Sequence, residues 1–220
     1  MIRHIIFDMD GTLVDTIPLW ERVRIDLSLQ HGYTWTKEDR IAVDGLNSLE
    51  WSRYLIQKLH LTLSSDEVQT IVINRLVELY QKSSPFRPGA IEAVKWAATR
   101  CPIGLASGSP HVIIKAVTEN PQIKGLFSMI MSADEVKAGK PAPDVYLEAL
   151  RRLKAAPETV LCVEDSGNGI VAGKTAGLKV AAVRYEDTPV PSEQLAQADI
   201  ILPTLVGFSD AIEPLFNKGA

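Results

Sequence analysis

Six short apolar runs, each broken off by glycine or polar residues, are the feature that most narrows the folds open to this chain. They are 2–7, Pro102 to Ala106, Phe127 to Met131, Thr159 to Val163, Lys179 to Val183 and Ala198 to Leu202. Runs of this length and apolarity suit strands buried on both faces. Between them lie stretches with helical spacing, such as Val112, Ile113, Ala116 and Val117, or Val145, Leu147, Leu150 and Leu153. Strands alternating with helices predict βαβ units with right-handed crossovers, hence a doubly wound α/β fold with a parallel sheet. The ligand site of such a sheet is expected beyond the carboxyl ends of its strands.

Residues 16–85 break the alternation. Leu19, Val23 and Leu27 form one apolar stripe, Leu55 and Leu59 another, and Val68, Val72, Leu76 and Leu79 a third, with no convincing strand. Thr36-Lys37-Glu38-Asp39 and Ser64-Ser65-Asp66-Glu67 read as capping boxes. The expectation is an α/β core of residues 1–15 and 86–220, interrupted by a helical cap of residues 16–85, with Ser83 to Gly89 as the return linker. Ser109 reads as the N-cap of the next helix, with Pro110 as its first residue.

The chain has 220 residues, of which 46% are hydrophobic and 23% charged, enough to bury a core and unlike a disordered chain. Its net charge of −4 gives no general attraction to nucleic acid or anionic lipid. No apolar run reaches membrane-spanning length, and Asp8 interrupts the segment where a signal peptide would continue. Cys101 and Cys162 lack metal-site spacing and are expected to be reduced, buried thiols of a cytoplasmic protein.

Chemistry gathers at the ends of the apolar runs. Asp8 and Asp10, two residues apart, can point the same way at the end of a strand. Two carboxylates that close call for a cation between them, and Mg²⁺ shared with a substrate phosphate is the common case. One carboxylate could then act as a nucleophile on phosphorus and the other as an acid and base. Gly11 and Thr12 offer N–H groups in a tight turn, suited to phosphate oxygens. Ser107 and Gly108 follow the second run at the start of a helix, where an anion can be held. Lys140, fixed between Gly139 and Pro141, suits an electrostatic clamp. Glu164 and Asp165 close another strand with two more acids.

Together these residues resemble the motifs of the haloacid dehalogenase superfamily: Asp8-x-Asp10-Gly11-Thr12, Ser107, Lys140 and Glu164-Asp165, in the family's order and over essentially the whole chain. The resemblance is to phosphatases with a helical cap, in the β-phosphoglucomutase-like and sugar-phosphate phosphatase group. It implies that Asp8 becomes phosphorylated and that Asp10 protonates the leaving alcohol and then activates water. Ser107 and Gly108 would hold phosphoryl oxygens, and Lys140 would neutralise charge. Mg²⁺ would sit on Asp8, the main-chain carbonyl of Asp10 and Asp165, with Glu164 as a weaker direct or outer-shell candidate. The expected substrate is a small phosphorylated metabolite, a sugar or polyol phosphate, with neither nucleic acid nor membrane as partner and the chain a monomer or weak dimer.

Trp20 stands where the mutases of this group carry histidine, and Ser48 lies near the position of their cap arginine. Both differences favour hydrolysis over a phosphosugar mutase. Trp20 is then either a substrate contact or cap packing, and Arg75 either a substrate contact or an exposed helical residue. Gly167-Asn168-Gly169 could open a dinucleotide site, but Glu164 and Asp165 beside it would repel a pyrophosphate. A non-enzymatic phospho-acceptor regulator shares the acids, hydroxyl and lysine, yet such chains have no long helical insertion.

Overall fold

The computed structural model describes residues 1–82, 86–186 and 190–216. In chain order its elements are β1 (His4–Phe7), α1 (Ile17–Gln30), α2 (Lys37–Val43), α3 (Ser48–Leu59), α4 (Ser65–Lys82), α5 (Ala90–Arg100), β2 (Ile103–Ser107), α6 (His111–Thr118), β3 (Phe127–Ser132), α7 (Asp144–Leu153), β4 (Val160–Glu164), α8 (Gly167–Thr175), β5 (Lys179–Val183), α9 (Ser192–Leu195), β6 (Ile200–Leu202) and α10 (Phe208–Ile212).

All six apolar runs become strands of one parallel sheet, ordered β3-β2-β1-β4-β5-β6. The strand period of two sends Ile5 and Phe7 into the core beneath α5, α6 and α10, and Ile6 into the core beneath α7 and α8. β1 lies at the centre, so the turn that follows it opens where the chain crosses from one side of the sheet to the other.

Between β1 and α5 the described residues hold four helices and no strand. The stripes predicted from spacing are the buried ones: Val23 and Leu27, Leu55 and Leu59, and Val68, Val72 and Leu76. Both expected capping boxes form. Thr36 exchanges hydrogen bonds with Asp39, and Ser64 with Glu67. A third, Asn47 with Glu50, starts α3 and was not anticipated from the sequence. Part of the expected return linker, residues 83–85, lies outside the described residues.

Asp39 ties α2 to α3. Its carboxylate is buried and accepts from the hydroxyls of Tyr33 and Tyr54 at 2.8 and 2.6 Å, from Thr36, and from Lys58 Nζ at 2.9 Å. Burial alone would push this carboxyl up, but the hydrogen bonds from Tyr54, Lys58 and Thr36 outweigh it and hold it well below the usual carboxylate range. A depressed folded value contributes stability that is present above the unfolded pKa of about 4 and lost as pH falls below it. Urea unfolding midpoints of the wild type are therefore expected to drop below about pH 4 more steeply than those of Asp39→Asn, and equal slopes would refute the assignment.

Two expectations are corrected. α6 begins at His111 with Pro110 in the cap position, because the Ser109 hydroxyl is turned away toward Asp10. Cys162 is buried, whereas Cys101 is only half-buried, and both are free thiols. No helix among the described residues is long and apolar enough to cross a membrane.

Candidate active site

β1 ends at Phe7, so Asp8 and Asp10 reach the same cavity from a turn rather than by strand alternation. Leu13 and Val14 donate back to the Met9 carbonyl, and Gly11 donates to the Val14 carbonyl at 2.8 Å. Gly11 has φ +85°, and a Cβ there would stand 2.1 Å from Asp165 Oδ2, so both the backbone and the space require glycine. Its N–H is used inside the turn and does not face the cavity as the sequence suggested. Thr12 is likewise turned inward, its hydroxyl donating to Asp165 Oδ1 at 2.6 Å.

The turn, the end of β2, the loop before α7 and the end of β4 meet in one cavity of about 150 Å³. Asp8, Asp10, Gly108, Ser109, Lys140 and Asp165 line its floor, and Trp20, Arg24, Asp44 and Trp51 stand on the side of α1 to α3. Lys140 Nζ is buried between Asp8 Oδ1 at 2.6 Å and Glu164 Oε1 at 2.5 Å. Burial would lower this ammonium, yet the two carboxylates outweigh it and keep it firmly charged.

Asp8 shows the opposite balance. Burial, with Glu164, Asp165 and Asp10 adding repulsion, drives its carboxyl well above the usual range although Lys140 opposes this. Asp165 is raised for the same leading reason, burial, and by Glu164. Single carboxylate oxygens of Asp8, Glu164 and Asp165 lie within 4.8 Å of one another, all three residues buried. Three buried acids against one lysine leave negative charge that a small hard cation would neutralise, and an all-oxygen donor set suits Mg²⁺. The residues present therefore fit a divalent ion.

Glu164 is less free than its neighbours to serve as a ligand. One oxygen takes Lys140 and the Tyr146 hydroxyl at 2.6 Å, and the other takes Ser166. A Cβ at position 169 would come 2.0 Å from the Glu164 carboxyl, so Gly169 is explained by the packing of α8 on this side chain rather than by a dinucleotide. Asp10 stands apart from the acidic cluster. Its Oδ2 accepts from Ser107 and Ser109 at 2.9 and 2.8 Å, and its Oδ1 from Thr16 and Tyr80 at 2.6 and 3.2 Å. Ser107 is fully buried beneath Ser109, which is the serine that reaches the cavity.

A family model for haloacid dehalogenase-like hydrolases matches residues 2–177. The chain belongs to this family. It is 31% identical over 211 residues to hexitol phosphatase B of Escherichia coli K12, covering 91% of each chain. It is 30% identical over 218 residues to (DL)-glycerol-3-phosphatase 2 of Arabidopsis thaliana, covering 94% of this chain and 89% of that one. The crystal structure of β-phosphoglucomutase from Clostridium difficile shares the fold, with a TM-score of 0.84 at 22% identity over 99% of this chain and 98% of that one.

Among haloacid dehalogenase-like hydrolases this chain is distinguished by the residues that line the cavity from α1 to α3. Here Trp20 is buried, packs edge-on to Trp51 at 5.9 Å and lines the cavity, so packing and substrate contact are both open to it. Arg75 points elsewhere, to Gln30 on the surface. Ser48 bonds Asp134 at the end of β3 and does not line the cavity. Residues that sequence reasoning missed are Tyr80, Arg24 and Asp44. Asp44 is pushed up to about 6 by burial and then by Glu164. Its neighbours clamp the helical segment to the core: Asn168 donates to the Asp44 carbonyl at 2.8 Å, and the Lys140 N–H to the Gly45 carbonyl at 3.0 Å. Only the Gly45 turn, readable as a break between α2 and α3, could have flagged this loop in the sequence.

Proposed function

We propose that this hydrolase is a Mg²⁺-dependent phosphomonoesterase acting through a phosphorylated Asp8 on a small sugar or polyol phosphate. The observation that carries the reading is the pairing of Asp8 with Lys140 at 2.6 Å on the floor of a cavity that also holds Asp10 in a separate hydroxyl cradle. Two carboxylates in such different surroundings can do different work.

In this reading a carboxylate oxygen of Asp8 attacks phosphorus, and the bond to the leaving alcohol breaks as Asp10 donates it a proton. Asp10, now ionised, takes a proton from the water that attacks the acyl phosphate, which releases phosphate and restores the Asp8 carboxylate. Lys140 neutralises charge on the phosphoryl oxygens, and the Gly108 N–H, with Ser107 or Ser109, supplies hydrogen bonds to them. Asp8, Asp165 and the Asp10 carbonyl would hold Mg²⁺, with Glu164 orienting Lys140. Bound there, the ion would supply positive charge against the phosphoryl oxygens. Residues 16–85 act as the cap that excludes water and selects the alcohol, over a core of residues 1–15 and 86–220. The hexitol phosphatase relative supports a polyol or sugar phosphate as substrate class.

Inorganic phosphate release from sorbitol 6-phosphate, glucose 6-phosphate and glycerol phosphate tests this. Release is expected with Mg²⁺ and is expected to fall about 100-fold or more in excess chelator. Isomerisation of a sugar phosphate without free phosphate would show a mutase instead, and a single phosphorylation without turnover a regulatory phospho-acceptor.

A further inference from the structure

Arg24 lines the cavity, and among the described residues no carboxylate pairs with it at salt-bridge distance. It lies one helical turn beyond Trp20 on α1, and its guanidinium carbon sits 4.9 Å over the Trp20 ring. Trp20 is itself braced by Trp51. Arg24 Nε is buried without a hydrogen-bond partner, and among the described residues no acid lies within salt-bridge distance of its guanidinium. An orphaned buried donor on a long cation is costly unless a ligand completes it.

The surroundings keep it charged and aimed. Burial lowers Arg24 to about 10, with Glu21, Asp44 and Asp10 opposing the fall, so it carries its proton at neutral pH. The same wall carries Lys37 and Arg40 from α2 against the acids Glu21 and Asp44. Among the described residues that wall holds three cations, Arg24, Lys37 and Arg40, and two acids, Glu21 and Asp44. A neutral polyol end would leave that excess and the Nε donor unanswered. A carboxylate would answer both, because its two oxygens match the planar fork of arginine. A dianionic phosphate would answer them at the cost of stronger repulsion from Glu21 and Asp44.

We propose that Arg24 is the specificity residue of this site and selects phosphate monoesters whose leaving alcohol bears a carboxylate at its far end, that is, phosphorylated hydroxy or sugar acids. The inference rests on the phosphatase reading and moves its preferred substrate from neutral sugar and polyol phosphates to their acids. Trp20 then serves as the platform that holds the guanidinium flat, which gives the residue at the mutases' histidine position a role in substrate choice.

The test compares two esters of the same chain length, 6-phosphogluconate and sorbitol 6-phosphate, differing at the far end by a carboxylate against a neutral alcohol. The wild type is expected to prefer the acid in kcat/KM by about 10-fold or more. Arg24→Gln is expected to lower that preference by about 10- to 100-fold, chiefly through KM, as for the loss of a charge-assisted pair, and Arg24→Lys to keep part of it. No preference in the wild type, or a preference unmoved in Arg24→Gln, overturns the proposal. So does a stronger preference for fructose 1,6-bisphosphate than for the acid, which would assign the far end to a second phosphate. Should Arg24→Gln fail to fold, product inhibition of the wild type decides: gluconate must inhibit at least 10-fold better than sorbitol, and equal inhibition overturns the proposal. Release of phosphate from neither ester, nor from p-nitrophenyl phosphate, refutes the phosphatase reading itself. Turnover without preference refutes only the role of Arg24.

Discussion

Asp8→Asn is expected to lower phosphate release by about 10³-fold or more, because an amide has no nucleophilic oxygen at the pH of the reaction. Rapid quenching with a ³²P-labelled ester should leave label on the wild-type protein and none on the variant. A structural role for Asp8 would show itself in stability, and here the sign runs the other way. Burial raises the Asp8 carboxyl well above its unfolded value, Lys140 notwithstanding, so the ionised form costs folding stability at every pH above the unfolded pKa. The neutral amide removes that cost. In chelator the variant's unfolding midpoint should therefore be no lower than that of the wild type. Near-normal turnover would refute the covalent route, and a large loss of stability would refute the electrostatic account of the site.

Lys140→Ala should be damaging in both respects. Lys140 is 1% exposed, and its ammonium bridges Asp8 and Glu164 at 2.6 and 2.5 Å. Removing one partner of a buried ionic group leaves the others uncompensated, typically at about 3–5 kcal/mol, which urea titration in chelator would read directly. The rate should fall by about 10²- to 10³-fold as well, since the same charge faces the phosphoryl oxygens in the proposed reaction. The two effects are separable. Glu164→Gln keeps an oxygen for the Tyr146 hydroxyl but removes one buried charge, so adding it to Lys140→Ala should recover part of the stability and none of the rate. Full recovery of both would mean that Lys140 acts only by balancing Glu164.

Much of the architecture was legible in the chain because it rests on local periodicity. Apolar runs of strand length, helical stripes and two capping boxes are near-neighbour patterns, and each formed where its residues placed it. The boundaries that moved did so for tertiary reasons. Ser109 gave up its place as a cap because Asp10, 99 residues away, accepts its hydroxyl. Gly11 read as part of an anion-binding turn, yet its amide closes the turn itself, while the Thr12 hydroxyl donates to Asp165. Glu164 read as a weaker direct or outer-shell metal candidate, and the fold places it in the acidic cluster while Lys140, Tyr146 and Ser166 hydrogen-bond its oxygens.

By itself, then, the sequence determined the α/β alternation, the helical insertion and the types of residue at the strand ends, because hydrophobic period and turn chemistry are encoded over a few residues. Only the tertiary structure decided that Asp8, Glu164 and Asp165 cluster while Asp10 takes hydrogen bonds from serine hydroxyls, and that Arg24 lines the cavity from α1. Those outcomes depend on burial and on distances between residues far apart in the chain, and electrostatic energy in a buried site is set by such distances, which no local pattern carries.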